Sequence, residues 1–353
     1  KKEEELRIGL RYLIHEADLS GTLIDLSKLA DIFLNGALEA AEIETARHFG
    51  ITPADLKGFS VFGLGKLGGR ELNFGSDLDI VFVYEELETF PSSHNVQNAS
   101  TWYIFLAQTL YRLATEQTST GYAYKIDCDL RPEGNQTHLA ISLKGYRNYF
   151  QTRARVWEQQ AMIRLRFVAG NESLGKKFIE TAHSFAYKPK LQYGSIIEIA
   201  RLRERMEKEL AKEFHKGRDI KKGFGGLADI EFLIQILQLM HGYQTPQLRQ
   251  TNTKDALEML ALAGWFDQTE AEQLIGNYLF MRNVECALRI QNLSNSSRLP
   301  KSKDDLGVLA KLLGYGGNVD FAEKLLSDYD ITTRSIRSVY KKTIDNLLRV
   351  SVS

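Results

Sequence analysis

Cysteine is nearly missing from this chain: Cys128 and Cys286 are the two thiols in 353 residues. They lie far apart and neither sits in a C-x-x-C pair, which excludes a disulfide framework and a thiolate metal site. A reducing compartment, the cytoplasm, is the localisation expected. Proline is scarce, with 6 residues, so long uninterrupted helices are expected. Net charge is absent: 45 Lys and Arg balance 45 Asp and Glu. That excludes a sequence-independent nucleic-acid binder, which needs a basic surplus to displace counterions. No apolar run reaches the roughly 18 residues that cross a bilayer. The best candidate, 232–240, is half that length and contains Gln235 and Gln238. Neither nucleic acid nor a membrane is therefore expected as a partner. The N-terminus is charged and helical, without the pattern of a secretory leader. It carries no initiator Met, so a piece of a longer chain is expected. The seven histidines are scattered with no H-x-x-x-H pair, and His94 and His138 read as ordinary surface or core residues. No Ser-His-Asp or Cys-His set is evident.

What is present divides into three. Residues 1–50 read as helices, from Leu6, Leu10 and Leu13 and then Leu23, Leu26, Ala30 and Phe33 at helical spacing. Residues 51–190 contain alternating β-rich stretches at 59–65, 78–84, 122–130 and 138–142, a glycine-rich turn over 66–75, and helices at about 99–116 and 146–160. The stretch 163–170 fits a strand or more helix. Residues 191–353 read as a helical bundle, beginning with a charged helix at 198–215 in which Glu204 and Lys208 are spaced i,i+4. A basic stretch, 215–222, leads to an apolar helix at 227–241. Further helices are expected at 253–263, 269–290, 304–313 and 319–350.

The chemistry concentrates in Gly63-Leu-Gly65-Lys66, followed ten residues later by Asp77-Leu-Asp79 at the start of the strand 78–84. Residues two apart on a strand share a face, so Asp77 and Asp79 project together. Two carboxylates so placed repel unless a cation lies between them, and hard oxygen donors suit Mg²⁺ or Mn²⁺. Asp127 or Asp129 on the stretch 122–130 supplies a third carboxylate if that strand pairs beside 78–84. Such a triad can hold two metal ions, one acting on an attacking hydroxyl and one on a leaving pyrophosphate. Gly63, Gly65 and Gly75 allow close backbone approach, so amides there, with Ser76 and Lys66, are candidate phosphate contacts. The G-x-x-x-x-G-K-[ST] spacing of a Walker loop is missing. Arg131, before Pro132, reads equally as a phosphate contact or a structural ion pair. Cys128 points away from Asp127 and is expected in the core.

This combination resembles the polymerase-β-type nucleotidyltransferases, with Lys66 standing where a serine is usual. The longer strings GLGKLGGRELNFGSDLDIVF, YKIDCDLRPEGN, VWEQQAMIRLRFVAGN and GFGGLADIEFLIQILQL resemble the glutamine synthetase adenylyltransferase family over nearly the whole chain. The resemblance implies an α+β fold: a small mixed sheet with helices, flanked by the N-terminal helical segment and the C-terminal bundle. It implies Asp77, Asp79 and Asp127 as catalytic metal ligands for a two-metal Mg²⁺ site, in which Mn²⁺ can substitute. ATP is the implied substrate. Gly63, Gly65, Lys66, Gly75, Ser76 and Arg131 are the implied nucleotide-binding residues. The family pattern V-D-x-R-L-R-P makes Asp127 its carboxylate and puts Asp129 where a basic residue is usual. Enzymes of this family have two homologous halves, one attaching AMP to a tyrosine of glutamine synthetase and one removing it by phosphorolysis to ADP. WEQQA and GGLADIEF are closer to the adenylylating half. Deadenylylation, or a vestigial core serving as a regulatory binding module, are the alternatives. Glutamine synthetase and a PII-type signal protein are the implied partners.

Three further residues or sets have two readings each. Glu71 is a functional carboxylate or a brace of the glycine turn. Asp229 is a site residue or a complement to a helix dipole. Glu231, Gln235 and Gln238 form one polar stripe, either a cleft wall or a hydrogen-bonded network within the core.

Overall fold

The computed structural model describes residues 1–86, 100–119, 121–212, 218–292, 297–317 and 320–350. His94 and the start of the basic stretch at 215–217 lie outside the described residues. Two helices lead in, α1 (Lys2–Leu13) and α2 (Leu19–Phe49). The α+β section follows: β1 (Phe59–Gly63), α3 (Gly65–Gly68), β2 (Leu78–Tyr84), α4 (Ser100–Thr115), β3 (Ile126–Asp127), β4 (Ala140–Ser142), α5 (Leu143–Thr152), α6 (Val156–Met162), β5 (Arg166–Gly170) and α7 (Glu172–Ala186). The remainder is helical: α8 (Tyr193–Lys212), α9 (Leu227–His241), α10 (Thr253–Leu262), α11 (Gln268–Asn292), α12 (Lys303–Leu312) and α13 (Phe321–Val350). The fold class is the expected one, a small mixed five-stranded sheet among helices. Among the described residues no helix is long and apolar enough to cross a membrane.

The chain forms two compact units. The first comprises Lys1–Ile8, Leu23–Leu72 and Ser76–Ala186, and holds the sheet. Its strand order is β3-β2-β1-β5. β1 runs antiparallel to both β2 and β5. The other edge of β2 is shared, its start pairing with β3 and its end with β4, both parallel. Phe59, Phe62, Ile80 and Phe82 are fully buried, as are Trp102 and Tyr103 of α4 and Phe178 of α7. Helices therefore cover the sheet, and β2 is apolar on both faces beyond Asp79 because both are covered. The Phe59 ring lies 5.7 Å from Phe82, and Phe62 lies 4.8 Å from Phe178.

Several elements depart from expectation for local reasons. The strand expected over 122–130 shrinks to Ile126 and Asp127. Upstream, the amides of Ala123 and Tyr124 donate to the Ala114 carbonyl at the end of α4. Downstream, the Asp127 carboxylate accepts from the Asp129 amide at 2.8 Å and turns the chain. The helix expected over 146–160 is two helices. The amides of Arg153 and Ala154 both return to the Tyr149 carbonyl, and Glu158 restarts the chain by accepting from the Arg155 amide at 2.7 Å. The stretch 163–170 ends as strand β5.

The second unit comprises Gly9–Thr22, Asn73–Gly75 and 187–353. The Glu204–Lys208 pair expected on α8 forms, at 3.6 Å. The core of the unit includes Ile230, Ile234 and Leu237 of α9 and Met281, Val284 and Leu288 of α11. Asp229 does more than face a helix dipole. It is fully buried, accepts from Arg203 Nε at 2.6 Å, and lies 2.8 Å from Arg337 Nε. Burial pushes its carboxyl above the usual range, while Arg203 and Arg337 pull it back. Its second oxygen accepts from the Gly225 amide, tying in the turn before α9. Gln238 is buried, and its amide donates to the Leu248 and Gln250 carbonyls at 2.7 and 2.8 Å. At that position the polar stripe belongs to the core.

Candidate functional site

The start of β2 is where the candidate residues meet. Leu78 pairs with Ile126 and Asp79 with Asp127 across the parallel β2–β3 ladder. Their side chains therefore emerge on one face, one strand spacing of about 4.8 Å apart. On the opposite side of β2, the Leu64 amide donates to the Asp79 carbonyl at 2.9 Å. The chain then enters α3, the single helical turn made by the glycine motif. Gly65 has φ +50°, and a Cβ on it would lie 2.1 Å from Asp79 Oδ2. Glycine is required there twice, by backbone conformation and by a carboxylate in the space of a side chain. Gly68 is equally confined, since a Cβ would meet the Arg164 carbonyl at 1.7 Å.

Asp77 and Asp127 are exposed, and Asp79 is partly buried. The backbone register brings Asp79 and Asp127 side by side, with Asp77 two residues earlier on the same run. Among the described residues, no three His, Cys, Asp or Glu side chains converge closely enough to form a cation-binding group. The pair of neighbouring carboxylates is what fits a hard divalent cation. Burial pushes the Cys128 thiol up to about 12, with Arg131 opposing and Asp127, Asp129 and Asp79 adding to the rise. Cys128 is thus a neutral, buried thiol, as its position opposite Asp127 implied.

The candidate phosphate contacts divide. Gly63 and Gly65 flank the turn, and a Cβ on Gly63 would press on Leu67 at 2.8 Å. Lys66 Nζ lies 3.7 Å from Glu71, which is buried and also pairs with Arg164 at 3.2 Å. Glu71 therefore braces the turn through two cations. Gly75 takes φ +61°, and Ser76 is half-buried just before Asp77. Arg131 is buried. Its guanidinium donates to the carbonyls of Cys128 at 2.8 Å and Thr137 at 3.3 Å, which closes the loop after β3. Asp129 is exposed beyond that turn, 3.8 Å from Arg131.

Sequence reasoning assigned no role to Arg164, Arg166 or Asp31. Arg166 donates to the Leu67 carbonyl at 2.9 Å and the Gly68 carbonyl at 3.3 Å, and makes a two-pronged pair with Asp31. The available signal was Arg164 and Arg166 spaced by two in a stretch that is otherwise apolar.

Comparison with known proteins identifies the family. The family model described as "Glutamate-ammonia ligase adenylyltransferase" matches residues 1–181, and "GlnD PII-uridylyltransferase" matches 197–344. A bifunctional glutamine synthetase adenylyltransferase/adenylyl-removing enzyme of Xanthomonas axonopodis pv. citri is 34% identical over 318 residues, 89% of this chain and 34% of that protein. The protein of the same name from Rhizobium meliloti is 34% identical over 278 residues, 77% of this chain and 28% of its own. The one from Nitrosococcus oceani is 32% identical over 329 residues, 92% of this chain and 34% of its own. The chain thus spans about a third of the length of the curated relatives it matches. A family model that covers the sheet, the glycine turn and all three aspartates, with relatives alike over most of the chain, establishes that this chain belongs to the glutamate–ammonia ligase adenylyltransferase family.

Proposed function

We propose that this chain is a nucleotidyltransferase that moves AMP from ATP to a tyrosine of glutamine synthetase. The observation that carries the reading is the register of Asp79 against Asp127, with Gly65 held against the Asp79 carboxylate. Asp79 and Asp127 are the neighbouring pair that would hold Mg²⁺, or Mn²⁺ in its place, with Asp77 as the third ligand once its exposed side chain turns to the ion. Bound there, a divalent cation would neutralise charge on the triphosphate and help ionise a phenol whose reference pKa is about 10. The chain's own contribution is positional. The turn Gly63–Gly65 brings backbone against the carboxylates, with Asp79 standing where a Gly65 side chain would be. Lys66 and Ser76 are proposed as further phosphate contacts, with Gly75 giving the loop its bend. Arg131 is assigned to the loop after β3, from which it can act on phosphate only indirectly.

The motifs WEQQA and GGLADIEF favour the adenylylating direction. The relatives' names carry a second activity, adenylyl removal, and the same three carboxylates would serve phosphorolysis of the AMP–tyrosine ester to ADP. The match of 197–344 to a PII-uridylyltransferase model supports a PII-type signal protein as a partner of the helical region. Two buried, unpaired thiols accord with a cytoplasmic setting. We retain 1–50, 51–190 and 191–353 as the functional division of the chain.

The test is incubation with α-labelled ATP, Mg²⁺ and unmodified glutamine synthetase. Label on glutamine synthetase with release of pyrophosphate is the expected result. ADP formation from adenylylated glutamine synthetase and phosphate, with no labelling from ATP, would replace the adenylylating reading by the removing one. Neither product would leave the binding-module reading.

A further inference from the structure

We infer that Arg166, clamped by Asp31, is a positioning residue that sets the glycine turn against Asp79. The inference rests on the nucleotidyltransferase reading and deepens it by naming what holds the phosphate turn in place.

A helix as short as α3 leaves most of its carbonyls to partners beyond the regular helical ladder. The Gly65 carbonyl accepts from the Gly69 amide at 3.2 Å, and the Lys66 carbonyl accepts from the Glu71 amide at 2.8 Å. Arg166 reaches the last two. Its Nη2 donates to the Leu67 carbonyl at 2.9 Å and its Nε to the Gly68 carbonyl at 3.3 Å. Leu67 also accepts from the amide of Arg70, a residue at φ +55°. Arg166 is therefore the side chain that closes the turn at its C-terminal end. At the N-terminal end stands Gly65, with the Asp79 carboxylate in the place of its Cβ.

The guanidinium is itself fixed from behind. Asp31 Oδ2 accepts from Arg166 Nη1 at 2.9 Å, and Oδ1 accepts from Nη2 at 2.8 Å. Side-chain exposures of 14% for Arg166 and 23% for Asp31 leave the pair little room to move. Asn35, one helical turn beyond Asp31, donates to the Val168 carbonyl at 3.2 Å, so this face of α2 is pinned to β5 twice. The path from α2 to the candidate site is thus Asp31, Arg166, the Leu67 and Gly68 carbonyls, Gly65 and then Asp79. A planar fork with donors on both edges can serve a carboxylate and two carbonyls together. A lysine ammonium in its place cannot span them.

The test is the dissociation constant of MgATP for this whole chain, read on the folded protein beside its thermal melting. Arg166→Gln and Asp31→Asn are each expected to weaken MgATP about tenfold or more, the usual effect of removing a residue that orients binding groups. The double substitution is expected to be no weaker than Arg166→Gln alone, since both act through one guanidinium. Arg166→Lys is expected to recover melting temperature more than affinity. A purely structural pair would lower the folded fraction and leave the affinity of the folded protein alone. Affinity within twofold of the parent in folded Asp31→Asn and Arg166→Lys would therefore overturn the inference while the nucleotidyltransferase reading stood. Failure of the unsubstituted chain to bind MgATP would overturn both.

Discussion

Gly65 and Asp127 are the two residues at which small changes say most. Gly65→Ala places a methyl 2.1 Å from an Asp79 carboxylate oxygen and forces φ +50° on a residue with a Cβ. The backbone penalty alone is about 1–3 kcal/mol. The Asp79 carboxylate must also leave the place it occupies against the turn. We expect a folded protein with a lower melting temperature and a loss of AMP transfer of at least about 100-fold. Parent-like turnover in that variant would show that the Asp79 carboxylate is not needed where it stands. Asp127 and Asp129 give a second, paired prediction. Asp127→Asn keeps an oxygen that can accept from the Asp129 amide, so the turn after β3 survives while the charge beside Asp79 is lost. Asp129 is exposed beyond that turn. Transfer rates should fall by orders of magnitude for Asp127→Asn and by a few-fold at most for Asp129→Asn. Equal losses would move the essential carboxylate to Asp129.

At the scale of elements, α2 and α9 carry charges whose surroundings set stability. Glu42 on α2 is half-buried, and burial, with Glu39 adding, pushes its carboxyl up to about 7. A folded-state value raised above the unfolded one means that the native chain binds the extra proton. The resulting stability is complete below pH about 4.5 and is lost as pH rises through 7. Glu42→Gln should therefore leave melting unchanged at pH 4.5 and raise it at pH 8. The gain is about 1 kcal/mol after allowance for solvent screening of a partly exposed group. A gain of equal size at both pH values would show that protonation is not its source. On α9, Asp229 is enclosed by Arg203 and Arg337. Asp229→Ala leaves two cations without their buried carboxylate, which costs about 3–5 kcal/mol. Urea denaturation followed by circular dichroism should register the loss. A cost below about 1 kcal/mol would mean that water or Glu207, already paired with both arginines, takes over the role.

For the molecule as a whole, 45 positive charges against 45 negative ones leave no net charge at pH 7. Solubility of this chain should pass through a minimum near pH 7 and rise on either side, because self-repulsion between molecules vanishes where net charge does. Precipitation by polyethylene glycol across pH 5–9 measures this. A minimum displaced by more than about a pH unit would point to groups such as the half-buried Glu42 titrating far from their ordinary values. Much of the architecture was legible in the order of residues. β1, β2, the start and end of α9 and the expected i,i+4 pair of α8 follow from period-2 or period-3.6 patterning, which is a local property of the backbone. The family likeness was legible for the same reason, since Gly65, Asp77, Asp79 and Asp127 stand in strings whose spacing reflects turns and strands. Partner choice was not legible. The strand expected over 122–130 has the right residues, yet its ends are claimed by the Ala114 carbonyl and by the Asp127 side chain, neither of which pattern can weigh. Arg131, Glu71 and Asp229 could each be read two ways because a charged side chain's role depends on what lies within about 3–4 Å of it. The sequence by itself determined most of the element types, the α+β class and the carboxylates worth watching, because local geometry and burial period suffice for those, whereas 163–170 stayed open between strand and helix. Only the tertiary structure decided that Asp79 stands opposite Asp127, that Asp31 and Arg166 close the glycine turn, and that Asp229 lies between two arginines. Each of these joins residues far apart in the chain, and a hydrogen bond or ion pair is a relation of distance and angle that no linear order contains.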